Sequence, residues 1–200
     1  MIRADRDGAV LTLTIDRPDK ANSLTGAMLE ELATRVEGIG PDVGLLILTG
    51  SGPKVFSAGA DLDEAKAGLA RSPLWERLSG AIAATPCLTI AALNGTLAGG
   101  AFGMALACDI RLAVPGASFF YPVARLGYLP QPSDPGRMAV LMGPARAKLV
   151  LAAGARLTAE EALSFGLIDR IVDDPATAAR EMQAGDAAHV AAIKAMVPRS

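Results

Sequence analysis

Histidine, cysteine and aromatic residues are scarce in this chain of 200 residues. The one histidine, His189, lies near the end of the chain, so we expect no Ser-His-Asp triad at the apolar centre of the sequence. Cys87 and Cys108 lack the spacing with histidine that metal sites require, and we expect no metal. Both cysteines lie in apolar segments, which predicts free, buried thiols in a reducing cytosol.

A large excess of charge of one sign and long apolar runs are also missing. The net charge is −2, which predicts no basic surface for nucleic acid. The apolar run over residues 82–93 is interrupted by polar residues and is too short to cross a bilayer. The first ten residues, MIRADRDGAV, have no apolar region typical of a signal peptide. We therefore expect a cytoplasmic protein without nucleic-acid or membrane partners.

Two stretches combine an apolar strand with a run of small residues. Residues 45–61 read LLILTGSGPKVFSAGAD, a predicted buried strand over 45–48, then a turn and small residues that lead into a helix. Residues 87–103 read CLTIAALNGTLAGGAFG and repeat this order. Small residues allow close approach to the backbone, and the first amides of a helix have no partner inside it. We predict that the amides of Ala60 and Gly100 form an oxyanion hole.

Strands and helices alternate along the rest of the chain. Further strands are predicted over residues 9–15, 109–113 and 167–172, and residues 117–121 form a short aromatic segment. Helices are predicted over residues 25–38, 101–108, 137–142 and 145–153. Another is predicted over residues 62–69, with a continuation through Trp75 and Leu78 after an interruption at Ser72 and Pro73. Thr158 and Glu161 predict a capping box, and residues 130–136, PQPSDPG, predict a loop. This order indicates an α/β fold with a mostly parallel sheet.

The motifs resemble those of the enoyl-CoA hydratase/isomerase (crotonase) superfamily. The resemblance rests on four segments, LTIDRPDKANSL (13–24), FSAGAD (56–61), NGTLAGGAFGMALACDIRLA (94–113) and RLTAEEALSFGLIDRIV (156–172). It implies a spiral of ββα units, with a core domain over residues 1–172 and a C-terminal helical tail over residues 173–200. That tail is shorter than the helices with which the family covers its site and builds trimers. A homotrimer or a dimer of trimers is nevertheless the assembly that the resemblance implies.

The resemblance also implies an acyl-CoA thioester as the substrate, with its carbonyl held between the amides of Ala60 and Gly100. Coenzyme A then enters as part of the substrate, and no other cofactor is implied. Asp61 is expected chiefly to cap the following helix, and Lys20 either approaches a phosphate of coenzyme A or is a solvated surface lysine. The residues expected to bind substrate are Lys20, Ala21, Ala58, Gly59, Asp61, Gly99, Tyr121, Tyr128 and Gln131.

The sequence departs from the family at two positions. Hydratases of the family carry glutamates where this chain has Gly103 and Val123. Neither residue can exchange a proton, so hydration by two glutamates is not expected. Asp134 is the candidate catalytic carboxylate, and a turn aspartate before a proline is its alternative. The residues leave open decarboxylation of a malonyl-type thioester, thioester hydrolysis, and a non-catalytic acyl-CoA-binding homologue.

Overall fold

The computed structural model describes residues 1–197. The strands are β1 (Ile2–Asp7), β2 (Val10–Ile15), β3 (Leu45–Gly50), β4 (Val55–Ser57), β5 (Leu88–Leu93), β6 (Thr96–Ala98), β7 (Ile110–Ala113), β8 (Ser118–Phe120), β9 (Arg156–Thr158) and β10 (Arg170–Ile171). The helices are α1 (Gly26–Glu37), α2 (Leu62–Lys66), α3 (Leu74–Ala84), α4 (Phe102–Ala107), α5 (Val123–Leu126), α6 (Asp134–Met142), α7 (Pro144–Leu151), α8 (Ala159–Phe165), α9 (Pro175–Arg180) and α10 (Ala187–Met196). None of the helices in this range has the length and apolar character needed to cross a membrane.

Two sheets organise the chain. The larger has the order β1-β2-β3-β5-β7-β10 and is parallel except for the β1–β2 hairpin. The smaller has the order β4-β6-β8-β9 and is parallel except for β8–β9. A strand of the larger sheet, a strand of the smaller sheet and a helix follow one another three times, as β3-β4-α2, β5-β6-α4 and β7-β8-α5. The predicted α/β class and its ββα units are confirmed.

Strand β3 is buried on both faces, as its unbroken apolar run predicts. Leu46 and Leu48 belong to the main core, together with the apolar faces of α1 and α3. Leu45 and Ile47 point to a second cluster that includes Ala179 of α9. The tail helix α9 therefore covers one face of the larger sheet. The division into a core over residues 1–172 and a separate tail stays a prediction.

Several predicted boundaries were wrong for local physical reasons. Helix α6 begins at Asp134 rather than at Arg137, because Pro135 lies in the first turn, where its missing N–H costs no hydrogen bond. The helix predicted over residues 62–69 ends at Lys66. The interruption predicted at Ser72 and Pro73 is confirmed, since α3 begins directly after it at Leu74. Strands β1, β4, β6, β8 and β9 were not predicted, and the strand predicted over residues 167–172 is only β10. The capping box of α8 is confirmed, with Thr158 and Glu161 bonded as expected.

Candidate active site

The two glycine stretches meet where β4 and β6 end. These strands are neighbours in the smaller sheet, so the turns that follow them lie side by side. Gly59 has a φ of +91°, and a Cβ placed on it would lie 3.0 Å from the Ala98 carbonyl oxygen and 3.2 Å from the Gly100 nitrogen. A side chain at position 59 would force these turns apart, so glycine is what brings Ala60 close to Gly100.

One pocket opens beside these turns, and seven of the predicted site residues line it. They are Ala58, Ala60, Gly99, Gly100, Tyr121, Tyr128 and Gln131. Within residues 1–197, neither the Ala60 amide nor the Gly100 amide donates a hydrogen bond. Backbone donors are almost always paired inside proteins, so two free amides at one pocket are available to an incoming oxygen.

Asp61 lies directly after the first of these turns and caps helix α2. One of its oxygens accepts hydrogen bonds from the amides of Asp63 and Glu64, at 3.1 and 3.4 Å. The other accepts from the Arg17 guanidinium at 2.8 Å. The hydrogen bond from Arg17, followed by those from the helix amides, lowers the pKa of Asp61. Asp61 does not line the pocket, so it fixes the start of α2 behind Ala60.

Lys20 and Ala21 lie outside the pocket lining. Lys20 ends an exposed 3-10 turn, and Ala21 follows with a φ of +51°. The Ala21 carbonyl accepts the amide of Ala58 at 3.0 Å. The segment that resembles the family's N-terminal signature is therefore bonded to the first glycine turn, and Lys20 is exposed next to that bond.

Asp134 is buried behind the pocket wall, and Tyr121 stands between the two. Tyr121 lines the pocket, and its ring stacks on Phe102 with centroids 5.3 Å apart. Its hydroxyl donates a hydrogen bond of 2.9 Å to Oδ2 of Asp134, and the Gln131 amide donates to the same hydroxyl at 3.4 Å. Asp134 itself has no exposed surface. Tyr121 therefore links the pocket to this carboxylate.

The other oxygen of Asp134, Oδ1, has no hydrogen-bond partner in the described part of the chain. It faces Gly103, where an added Cβ would lie 3.1 Å from it. Burial raises the pKa of Asp134 to about 7, against the lowering effects of the Tyr121 hydrogen bond and of Arg137. Burial, and then the charge of Asp134, also raise the pKa of Tyr121. The carboxylate thus occupies the space left free by the missing side chain at position 103.

Several residues of the site were not predicted. Trp75 of α3 lies under the second glycine turn, and a Cβ on Gly100 would lie 3.3 Å from its ring. Glu76 accepts hydrogen bonds from the amide and the hydroxyl of Ser133, which precedes Asp134. Both contacts join residues far apart in the chain, so no local pattern indicates them, although Trp75 is the one tryptophan of the sequence.

The cysteines and the histidine lie away from the pocket. Cys87 and Cys108 are both buried and free, and burial raises the pKa of their thiols to about 11 and about 12. His189 is exposed on α10. Across residues 1–197, no three His, Cys, Asp or Glu side chains are grouped as metal ligands.

Known proteins of the predicted family are similar to this chain in sequence and in architecture. The family model described as Enoyl-CoA hydratase/isomerase matches residues 5–199. "Probable enoyl-CoA hydratase EchA14" of Mycobacterium tuberculosis is 38% identical over 190 residues, which cover 91% of this chain and 73% of that protein. The structure of Pseudomonas aeruginosa DspI superposes with a TM-score of 0.88 at 32% identity, over 97% of this chain and 84% of DspI.

A crystal structure of enoyl-CoA hydratase from Bacillus anthracis gives a TM-score of 0.83 at 32% identity, over 91% of this chain and 74% of that chain. The family match extends over nearly the whole sequence, and the two structural matches cover 97% and 91% of this chain. The crotonase fold is thereby confirmed. This chain belongs to the enoyl-CoA hydratase/isomerase family.

Proposed function

We propose that this protein binds an acyl-CoA thioester and stabilises the enolate of its acyl group at the amides of Ala60 and Gly100. The observation that supports this most is the pair of unbonded amides on adjacent glycine turns at one pocket. Negative charge develops on the thioester oxygen as the enolate forms, and fixed backbone donors stabilise that charge without reorganising. Leu62, Leu126 and Leu129 line the same pocket and offer an apolar wall for the acyl chain.

We do not assign hydration by two glutamates. Val123 lines the pocket at one glutamate position, and Gly103 lies in α4 at the other. Among residues 1–197, no carboxylate lines the pocket, and the ionisable side chains that line it are Tyr121 and Tyr128. We therefore assign a reaction that needs enolate stabilisation and a single proton transfer, of which decarboxylation of a malonyl-type thioester is one case. The largely apolar lining also supports a second candidate, a non-catalytic acyl-CoA binder.

The test is mass spectrometry of the coenzyme A products formed from crotonyl-CoA, a 3-enoyl-CoA, methylmalonyl-CoA and butyryl-CoA. Loss of CO₂ or release of free coenzyme A is expected if the pocket stabilises an enolate or a tetrahedral oxyanion. A 3-hydroxyacyl product would show that water addition proceeds without the two glutamates, and would overturn our reading of positions 103 and 123.

Binding is measured separately with acetoacetyl-CoA, which forms an enolate readily and absorbs in the near ultraviolet when it does. An oxyanion hole should raise the enolate fraction on binding. Binding without turnover on the panel would favour the non-catalytic candidate, and absence of binding would overturn both. A cytoplasmic location and a trimeric assembly remain part of the proposal, and light scattering of the purified chain tests the assembly.

A further inference from the structure

Tyr121 is the one ionisable pocket residue that is bonded to a buried carboxylate. Tyr128 also lines the pocket, but its ring makes a cation–π contact with Arg71, whose Cζ lies 5.7 Å from the ring centroid. Tyr121 donates to Asp134 at 2.9 Å, and Asp134 keeps a second oxygen without a partner among residues 1–197. A buried carboxylate is costly unless it is bonded or has another use. A chain of two exchangeable groups therefore runs from the pocket into the core.

We infer that Tyr121 exchanges a proton with the α-carbon of the bound thioester, and that Asp134 acts through Tyr121 as its positioning residue and as the end of the relay. The inference rests on the proposed function, because the enolate oxygen must be held by the amides of Ala60 and Gly100.

The relay balances in atoms and charge. When the enolate forms, the Cα–H bond breaks and its electron pair enters the enolate. The proton passes to Oη of Tyr121 as the hydroxyl's own proton moves to Oδ2 of Asp134. A thioester and a carboxylate become an enolate and a carboxylic acid. The reverse transfer protonates an enolate, including one left by loss of CO₂, and leaves Asp134 ionised.

The surroundings of Asp134 suit a group that changes its charge. Arg137 lies one turn further along α6, and its charge favours the ionised form. Glu76 of α3 favours the neutral form, while Tyr121 donates to the ionised form. Gly103 of α4 adds no polar group. Since burial brings the pKa of Asp134 to about 7, both forms are populated near neutral pH.

The experiment follows the exchange of the α-protons of butyryl-CoA with deuterium in heavy water, by mass spectrometry, between pH 5.5 and 9. In the wild-type protein the exchange rate should rise with pH through about 7 and then level off, because ionised Asp134 is the terminal base. Tyr121→Phe keeps the stacked ring and should slow exchange about 100-fold or more, the usual contribution of a proton-transfer group. Asp134→Asn should slow exchange and remove the pH step.

Tyr128→Phe serves as the comparison, because it removes the other hydroxyl of the pocket. Whatever its effect on binding, it should keep the pH midpoint of the wild-type protein. Exchange by Tyr121→Phe at the wild-type rate, or an unchanged pH step in Asp134→Asn, would overturn the relay and leave the proposed function standing. Binding of butyryl-CoA without any exchange in the wild-type protein would overturn the relay as well. Failure to bind butyryl-CoA or acetoacetyl-CoA would instead overturn the proposed function.

Discussion

At position 59 a single methyl group would separate the turns that carry Ala60 and Gly100. Gly59 has a positive φ and lies within 3.3 Å of the second turn, measured from an added Cβ, so Gly59→Ala adds strain and displaces the amides. Loss of one oxyanion donor typically costs about 100-fold or more in rate. We expect Gly59→Ala to lower the enolate fraction of bound acetoacetyl-CoA at least tenfold, as measured by absorbance titration.

Gly80→Ala is the matched control for that variant. Gly80 lies in α3 with no atom within 4 Å of an added Cβ, so alanine should fit and slightly favour the helix. If bound acetoacetyl-CoA shows the same enolate fraction in Gly59→Ala and Gly80→Ala, the close contact of the two turns is not needed for the site.

The buried carboxylate at position 134 should also leave a mark on stability. The pKa of Asp134 is about 7 in the folded protein and about 3.9 in an unfolded chain. Between about pH 4 and pH 7, Asp134 is therefore protonated in the folded state and ionised in the unfolded state. The stability contributed by neutral Asp134 is therefore complete below about pH 4 and is lost as the pH rises through about 7. A difference of about 3 pKa units sets an upper bound of about 4 kcal/mol on this loss.

Asp134→Asn cannot ionise, so it should gain stability relative to the wild-type protein between pH 5 and pH 8.5. Urea unfolding at both values measures the change. Asp5→Asn removes an exposed carboxylate from β1. Its free energy of unfolding should match that of the wild-type protein at both pH values. A constant difference between Asp134→Asn and the wild-type protein would mean that Asp134 does not titrate in this range.

Among the elements, helix α2 depends on one side chain at its start. Asp61 accepts two amides of α2 and the Arg17 guanidinium, which lowers its pKa. Its contribution is present above the usual carboxyl range and is lost as the pH falls through the lowered pKa. We expect Asp61→Ala to lower the melting temperature at pH 7 more than Asp61→Asn, because asparagine keeps an oxygen for the amides.

Asp63→Asn gives the control within the same helical turn. Asp63 is almost fully exposed, and its contact with Lys66 spans 3.7 Å, so its removal should change the melting temperature little. Equal melting temperatures for Asp61→Ala and Asp63→Asn would show that the cap and the Arg17 contact contribute nothing measurable.

How well the sequence predicted each element depended on how local its determinants are. Strand β3, helix α1 and the capping box of α8 are determined by apolar spacing and cap residues within one segment, and they were predicted correctly. Strand β1 carries mostly charged and exposed residues, so its pairing with β2 had no apolar signature. The start of α6 was missed because proline was taken as a breaker, although a first turn tolerates it.

In the site, too, the features with local determinants were predicted and the long-range contacts were not. The two glycine turns have local signatures, and the predicted residues Ala60 and Gly100 do line one pocket. The bond between Tyr121 and Asp134 crosses from a strand end to the start of a helix, and the contact of Asp134 with Gly103 spans 31 positions of the sequence. The contact of Asp134 with Gly103 follows from the packing of α4 against α6. Neither of the two contacts is encoded within a single segment.

For the molecule as a whole, α9 is expected to be part of the folding unit. It covers Leu45, Ile47 and Ile90 on one face of the larger sheet. A chain ending after residue 172 would expose this face, whereas one ending after residue 184 would keep α9 and lose only α10, which buries no residue. We expect the shorter chain to aggregate or melt at lower temperature than the longer one, by light scattering and circular dichroism.

That experiment also tests the predicted boundary after residue 172. A chain of residues 1–172 as stable as the chain of 200 residues would support an independent core. The chain that ends after residue 184 controls for the loss of α10. In the intact chain Lys194 of α10 contacts Asp109 at 2.6 Å and the Cys87 carbonyl at 2.8 Å, and both shortened chains lose these contacts.

The contact between Gly103 and Asp134 couples the effects of substitutions at these two positions. With Oδ1 of Asp134 only 3.1 Å from an added Cβ, a glutamate at position 103 would meet an existing carboxylate in a buried space. Replacing Asp134 by a residue without a carboxylate removes that conflict between two acids. A glutamate at position 103 should therefore cost less stability in such a variant than in the wild-type protein.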